Sequence, residues 1–159
     1  MVQVRRAHAR DADIVARLCS EAAAEEDVHS ALDSDRIKAH AFGSNALFEV
    51  WLAESRRGRE IAGCAIVSKS YDVRRAMPTL VVCELYVAPA FRRVGVARVL
   101  MSALARRAMD LGAREVQITT GVDKEVAQRF FAAIGAQAAS ASVYKMSADG
   151  IQWLANEHG

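Results

Sequence analysis

Cysteine is sparse in this chain. Cys19, Cys64 and Cys83 are scattered, odd in number and without a C-x-x-C pair, so neither a disulfide framework nor a zinc site is indicated. Buried, reduced thiols are the expected state, and no metal is expected. No apolar run approaches the length of a membrane span and no apolar core follows the N-terminus, which points to a cytoplasmic protein without a membrane partner. Repeats and low-complexity segments are absent as well. Net charge is only +2, and the basic stretch from Arg92 to Arg114 has no aromatic residue among its arginines, so nucleic acid is not expected as a partner.

What the chain does have is 159 residues, a length that suits one domain over 1–159 and buries roughly two-thirds of the surface exposed by the unfolded chain. Its charge is nearly balanced but unevenly placed. Asp11 to Asp35 holds eight acids against Arg17, whereas Arg92 to Arg114 holds six arginines against Asp110. The acidic stretch suits either a cationic ligand or a solvated helix face.

Periodicity then divides the chain. Val2 to Ala7 alternates as a strand, and Ala9 to Asp13 leads into a helix carrying Ile14, Val15, Leu18 and Cys19, with Asp11 or Asp13 placed to cap its amides. After the acidic helical region, Leu47 to Glu54 and Glu60 to Ser68 alternate on either side of Ser55-Arg56-Arg57-Gly58, the pattern of a hairpin. Tyr71 to Thr79 reads as a polar loop and Leu80 to Val87 as the next strand. The helix that follows carries Val96, Val99, Leu100, Ala103, Leu104, Ala108 and Leu111 at helical spacing and stops at Gly112. A strand over Glu115 to Thr120, a helix over Asp123 to Ile134 closed by Gly135, and a last strand over Val143 to Met146 complete the body. Ser147 is placed to cap a short helix with Ile151, Trp153 and Leu154.

The chemistry concentrates in one run, Val81 to Arg98, where an alternating strand enters a basic, glycine-containing turn that opens a helix. Arg92, Arg93 and Arg98 crowd the positive end of the helix macrodipole, a placement unfavourable by roughly 0.3–1 kcal/mol per cation. A bound anion removes that conflict. Free first-turn amides, a glycine and nearby arginines suit a pyrophosphate.

Arg92-Arg93-Val94-Gly95-Val96-Ala97 resembles the Arg/Gln-x-x-Gly-x-Gly/Ala signature of the GNAT superfamily of N-acetyltransferases, and the preceding strand ends in Val87-Ala88-Pro89 as that superfamily's fourth strand does. The N-terminal strand, turn and helix are similar too, so the resemblance covers nearly the whole chain. It implies an α/β (α+β) fold, a mixed and mostly antiparallel twisted sheet of six to seven strands with helices on both faces, and a homodimer. The implied cosubstrate is acetyl-CoA, with contacts along Leu85, Tyr86 and Val87 and in the turn at Arg92, Arg93, Val94, Gly95, Val96, Ala97 and Arg98. A weaker resemblance, to diamine and polyamine N-acetyltransferases, rests on Ser70-Tyr71-Asp72 and on Tyr144-Lys145-Met146 before Trp153-Leu154.

Acetyl transfer needs a base for a protonated amine, a donor for the developing oxyanion and an acid for the leaving thiolate. Glu84, beside the implied reaction centre, is the candidate base; its alternative is a solvated or arginine-paired carboxylate. A backbone N–H near Leu85 to Val87 is the candidate oxyanion donor. Cys83 is expected to point away from Glu84 by strand alternation. Where the superfamily often has a tyrosine acid this chain has Phe131, which leaves Tyr144 and Tyr86 as the available phenols, Tyr144 being the candidate catalytic acid. The reading is acetyl transfer to a primary amine of a small, possibly polyamine-like acceptor. An acyl-CoA-binding regulatory module and a protein or peptide N-acetyltransferase stand as alternatives.

Overall fold

Residues 2–56, 60–120 and 124–157 are described by a computed structural model of the chain. They fall into two units, Met1–Gly121 and Val122–Gly159. In the first, strands β1 (Val2–Arg6), β2 (Glu49–Ser55), β3 (Ile61–Asp72), β4 (Met77–Val87) and β5 (Val116–Ile118) form one sheet in chain order. All neighbours are antiparallel except β4 and β5, which are parallel and joined through helix α3 (Val96–Asp110). Helices α1 (Ala12–Ala24) and α2 (Ser34–Ala41) connect β1 to β2.

Strand alternation explains the two layers. Val50, Leu52, Cys64, Ile66 and Tyr86 form one core with Val15, Leu18 and Cys19 of α1 and Ile37 of α2. The intervening side chains of β2 face α3, where Trp51 and Ala103 line one cavity and Glu49 pairs with Arg107. Val96, Leu100, Ala103, Leu104 and Ala108 supply the buried stripe of α3, as their spacing predicts, while Val99 stays partly outside it. Gly112, at φ +71°, closes α3 by letting its own amide reach Met109 O at 2.9 Å and that of Ala113 reach Ala108 O at 2.9 Å.

Several sequence expectations change. Neither Asp11 nor Asp13 caps α1 with its side chain; Asp11 instead accepts from the His8 amide at 2.7 Å and takes two bonds from Arg5, whose charge outcompetes the helix amides for the carboxylate. The loop expected over Tyr71 to Thr79 is mostly strand. β3 and β4 pair out to Asp72 and Met77, and the intervening turn is held by the Asp72 carboxylate, which accepts from the Arg74 and Arg75 amides. The hairpin between β2 and β3 forms as expected, although Arg57 and Gly58 of its turn lie outside the described residues.

The second unit contains α4 (Glu125–Ala133) and α5 (Ala148–Asn156); Asp123, the expected start of the first, lies outside the described residues. Gly135 and Ser147 act as expected, the glycine at φ +91° ending α4 and the serine accepting from the Gly150 amide at 3.2 Å. Val143 to Met146, expected as a last strand, is not one: residues 136–147 form no regular structure. The run preceding it, Gln137 to Ser142, is made of small and polar residues with little side chain to pack on a pleated surface. The sheet among the described residues therefore has five strands rather than six to seven.

Candidate active site

Strand β4 changes neighbours midway. It pairs with β5 only at Leu80, Val81 and Val82; beyond them, among the described residues, the β5 side of β4 has no partner strand. At that point Ile66 pairs with Glu84 while Val67 pairs with Val82, so Cys83 is the extra residue of a β-bulge. The bulge also undoes the expected alternation. The Cys83 Sγ lies 3.5 Å from the Ser68 Oγ, and Ser68 shares the face of Ile66, the partner of Glu84. Cys83 thus emerges on the side of Glu84 and is exposed, contrary to the expectation for both; Cys19 and Cys64 are buried thiols.

Past the bulge, the Ala88 amide donates to Ala62 O of β3 at 2.9 Å. Alternation then turns the amides and carbonyls of Leu85 and Val87 toward the unpaired side. Glu84 Oε1 accepts from the Leu85 amide at 3.2 Å. The Glu84 side chain is half-buried, and no ion pair reaches it among the described residues. Burial pushes its carboxyl above the ordinary range; the Leu85 amide opposes this and the charge of Glu26 adds to it. A half-desolvated carboxylate beside an open strand edge, with no cation on it among the described residues, favours a proton or a positively charged partner.

Tyr86 is buried on the same face, its hydroxyl 3.4 Å from Glu25 Oε1 and 3.5 Å from Glu21 Oε2 of α1. Burial and then these two acids raise its phenol pKa. Tyr86 is therefore held as a neutral hydroxyl pointing at α1, and its carbonyl faces Gly63 of β3, so of the three expected cofactor contacts on this strand only Leu85 and Val87 present backbone groups at the open edge.

The turn after β4 places the arginine and glycine signature. A 3-10 turn, Pro89–Phe91, leads into Arg93 at φ +63° and Gly95 at φ +88°, the residue before α3. A Cβ on Gly95 would meet no atom within 4 Å, so the left-handed backbone rather than crowding calls for glycine, and the space before the helix is open. The Val96 and Ala97 amides have no acceptor within the helix, Val96 itself being the buried anchor and Val94 lying exposed. Arg93 makes no ion pair among the described residues. Arg92 is differently engaged: its Nε donates to Val87 O at 2.8 Å, its Nη2 to Glu25 Oε1 at 2.5 Å, and its guanidinium lies 5.7 Å from the Tyr86 ring centroid. Arg98 also has an interaction of its own.

The expected acid, Tyr144, and Phe131, which stands where the superfamily often has its tyrosine, lie in the second unit. Phe131 sits in α4 with its ring 5.4 Å from that of Phe130, and Tyr144 lies within 136–147. Among the described residues no cluster of His, Cys, Asp and Glu is suited to hold a metal, and no helix is long and apolar enough to cross a membrane. Sequence reasoning missed the engagement of Arg92 by Glu25. The only signal for it was the acidic content of the α1 end.

A bulged β4 that parts from β5, followed by a glycine-opened helix ringed with arginine, marks a class: transferases that take their acyl group from a CoA thioester. The chain belongs to the Acetyltransferase (GNAT) family, whose model matches residues 15–136, and is accordingly an acyltransferase with acetyl-CoA as the acetyl donor. No curated protein sequence matches it. Among solved structures it is similar to an integron cassette protein from the mobile metagenome of V. cholerae (20% identity, TM-score 0.80, 98% of each chain covered). It is similar also to a ribosomal-protein-alanine N-acetyltransferase from Brucella melitensis biovar Abortus 2308 (22%, 0.75, 92% of this chain and 99% of that one). A possible acetyltransferase from Clostridium difficile 630 has 14% identity and a TM-score of 0.81 over 92% and 97% of the two chains. At these identities the likeness is one of fold.

Proposed function

We propose that the chain, as a single domain over 1–159, moves an acetyl group from acetyl-CoA to a primary amine of a small cationic acceptor, with Glu84 as general base. The observation that carries this reading is the half-buried Glu84 carboxylate, free of ion pairs among the described residues, at the point where β4 loses its neighbour. Acetyl-CoA supplies an activated acyl carbon. Glu84 accepts the ammonium proton, directly or through water; the neutral amine nitrogen forms the C–N bond as the C–S bond breaks, Tyr144 protonates the departing thiolate, and the acylated nitrogen gives up its second proton, which restores the phenol through solvent. The Val87 amide, on the open edge, is the donor for the carbonyl oxygen, since that of Leu85 already serves Glu84. Arg92 to Arg98 hold the diphosphate, and the open strand edge at Leu85 and Val87 pairs with the pantetheine arm. A polyamine-like acceptor is supported by Glu21, Glu25 and Glu26 at the end of α1, on the side of Glu84 and Tyr86. We read the active form as a cytoplasmic homodimer, which sedimentation and cell fractionation test.

A second reading, a peptide N-terminus as acceptor, is favoured by the likeness to the ribosomal-protein-alanine enzyme. Thiol release assayed with diamines, polyamines and N-terminal peptides separates the two. Turnover on amines that falls by on the order of 10²–10⁴-fold in Glu84→Gln, with acetyl-CoA affinity kept, supports the proposal. Wild-type turnover in that variant refutes the role of Glu84, and activity on peptides alone selects the second reading.

A further inference from the structure

The residue that the turn signature assigns to the diphosphate is not waiting for it. Arg92 is folded back from the turn, across the Val87 carbonyl on the open edge of β4, and is held there by the Glu25 carboxylate at the end of α1. Both positions conflict with a bound cofactor. An arginine on Val87 O occupies one of the backbone acceptors that the pantetheine arm would use, and an arginine neutralised by Glu25 is withdrawn from the diphosphate. The contact joins two elements with different tasks, since α1 also carries Glu21 against Tyr86.

From this geometry we infer that Glu25 competes with the CoA diphosphate for Arg92 and so acts as a latch: cofactor entry breaks the Glu25–Arg92 pair, clears the Val87 carbonyl, and frees a carboxylate at the end of α1. The inference rests on the assignment of the Arg92–Arg98 turn to CoA. It makes Glu25 a positioning residue whose removal strengthens binding instead of weakening it.

Calorimetry with CoA tests this in the full chain. Arg92 and Glu25 are both partly exposed, so loss of the latch has the scale of an exposed ion pair, and Glu25→Gln should bind CoA about two- to fivefold more tightly than wild type. Two comparisons separate the latch from general electrostatics. Glu21→Gln removes the same charge from the same helix but pairs with Arg17, so it should gain little. In an Arg92→Met background the gain from Glu25→Gln should vanish, as a double-mutant cycle requires of a direct interaction. Equal or weaker binding by Glu25→Gln overturns the inference, as does an equal gain in Glu21→Gln or a gain that persists without Arg92. CoA binding by no form of the protein overturns the turn assignment and the latch with it, whereas equal binding by wild type and Glu25→Gln overturns the latch alone.

Discussion

At the scale of single residues, Glu84 is defined by what it lacks. The other carboxylates that this fold buries are paired with arginine, Asp11 with Arg5 and Glu49 with Arg107, and their pKa values fall. Glu84 has one amide and no cation among the described residues, and its pKa rises because burial is its largest influence. The rise has a kinetic sign. A base works when deprotonated, so the acid limb of kcat/KM should lie above the ordinary carboxylate range near 4 and disappear with Glu84→Gln. An acid limb in wild type that survives unchanged in the variant assigns it to another group. The thiolate's acid is a separate residue-scale matter. With Tyr144 in that role, Tyr144→Phe lowers turnover by on the order of 10²-fold or more, and Phe131→Tyr leaves it unchanged. A gain in Phe131→Tyr without loss in Tyr144→Phe shows instead that position 131 is where an acid is missing.

At the scale of elements, β4 is the piece on which the site depends, and β3 fixes it from behind. Gly63 pairs with Val87, and a Cβ there would land on the Tyr86 carbonyl oxygen and 3.1 Å from Val87 Cα. Both atoms are backbone and cannot rotate away. Gly63→Ala should therefore displace β4 where it offers its open edge, weakening CoA binding as well as lowering Tm, and titration with a thermal melt checks both. Retained affinity with only a lower Tm would mean that the edge does not contact the cofactor. The sequence made much of this element legible. Alternation marked Leu80 to Val87, Arg92 to Ala97 marked the turn, and Gly112 and Gly135 marked helix ends, because each is a local signal. The bulge was not legible, since one extra residue in a strand leaves no mark on composition, and with it went the exposure of Cys83 and its side of the sheet. The length of the β3–β4 hairpin was hidden for a related reason: strand pairing carried Tyr71 and Pro78 past the polar residues that suggested a loop. The Glu25–Arg92 contact joins residues 67 apart, a separation at which charge patterning carries no register.

At the scale of the whole molecule, two buried carboxylates bind the layers of the first unit together and set its response to acid. Asp11 accepts from Arg5 at 2.7 and 3.0 Å and from the His8 amide, tying β1 to the turn before α1. Glu49, only 4% exposed, accepts from Arg107 of α3 at 2.6 and 3.0 Å, with Arg6 of β1 and Lys69 of β3 at 3.8 and 4.0 Å. The Arg5 bond holds Asp11 below its ordinary pKa; for Glu49 burial pulls upward, but Arg107, Arg6 and Lys69 outweigh it and the pKa falls. A carboxylate whose folded pKa is depressed contributes stability in full above its unfolded pKa, near 4, and loses it as pH falls through the lower folded value. Asp11→Asn and Glu49→Gln should each lower Tm at pH 7, by roughly 2–10 °C for a loss of about 1–3 kcal/mol, and the gap from wild type should close below about pH 4. The two partners of the Glu49 pair are not equivalent. Arg107→Met leaves a buried carboxylate without its main donor and should cost more than Glu49→Gln, whereas adding Glu49→Met to Arg107→Met should restore part of the loss by removing the stranded charge. Equal single-variant losses that simply add in the double variant would show that Glu49 is solvated well enough to stand alone, and the salt-linked seam between sheet and α3 would then contribute little.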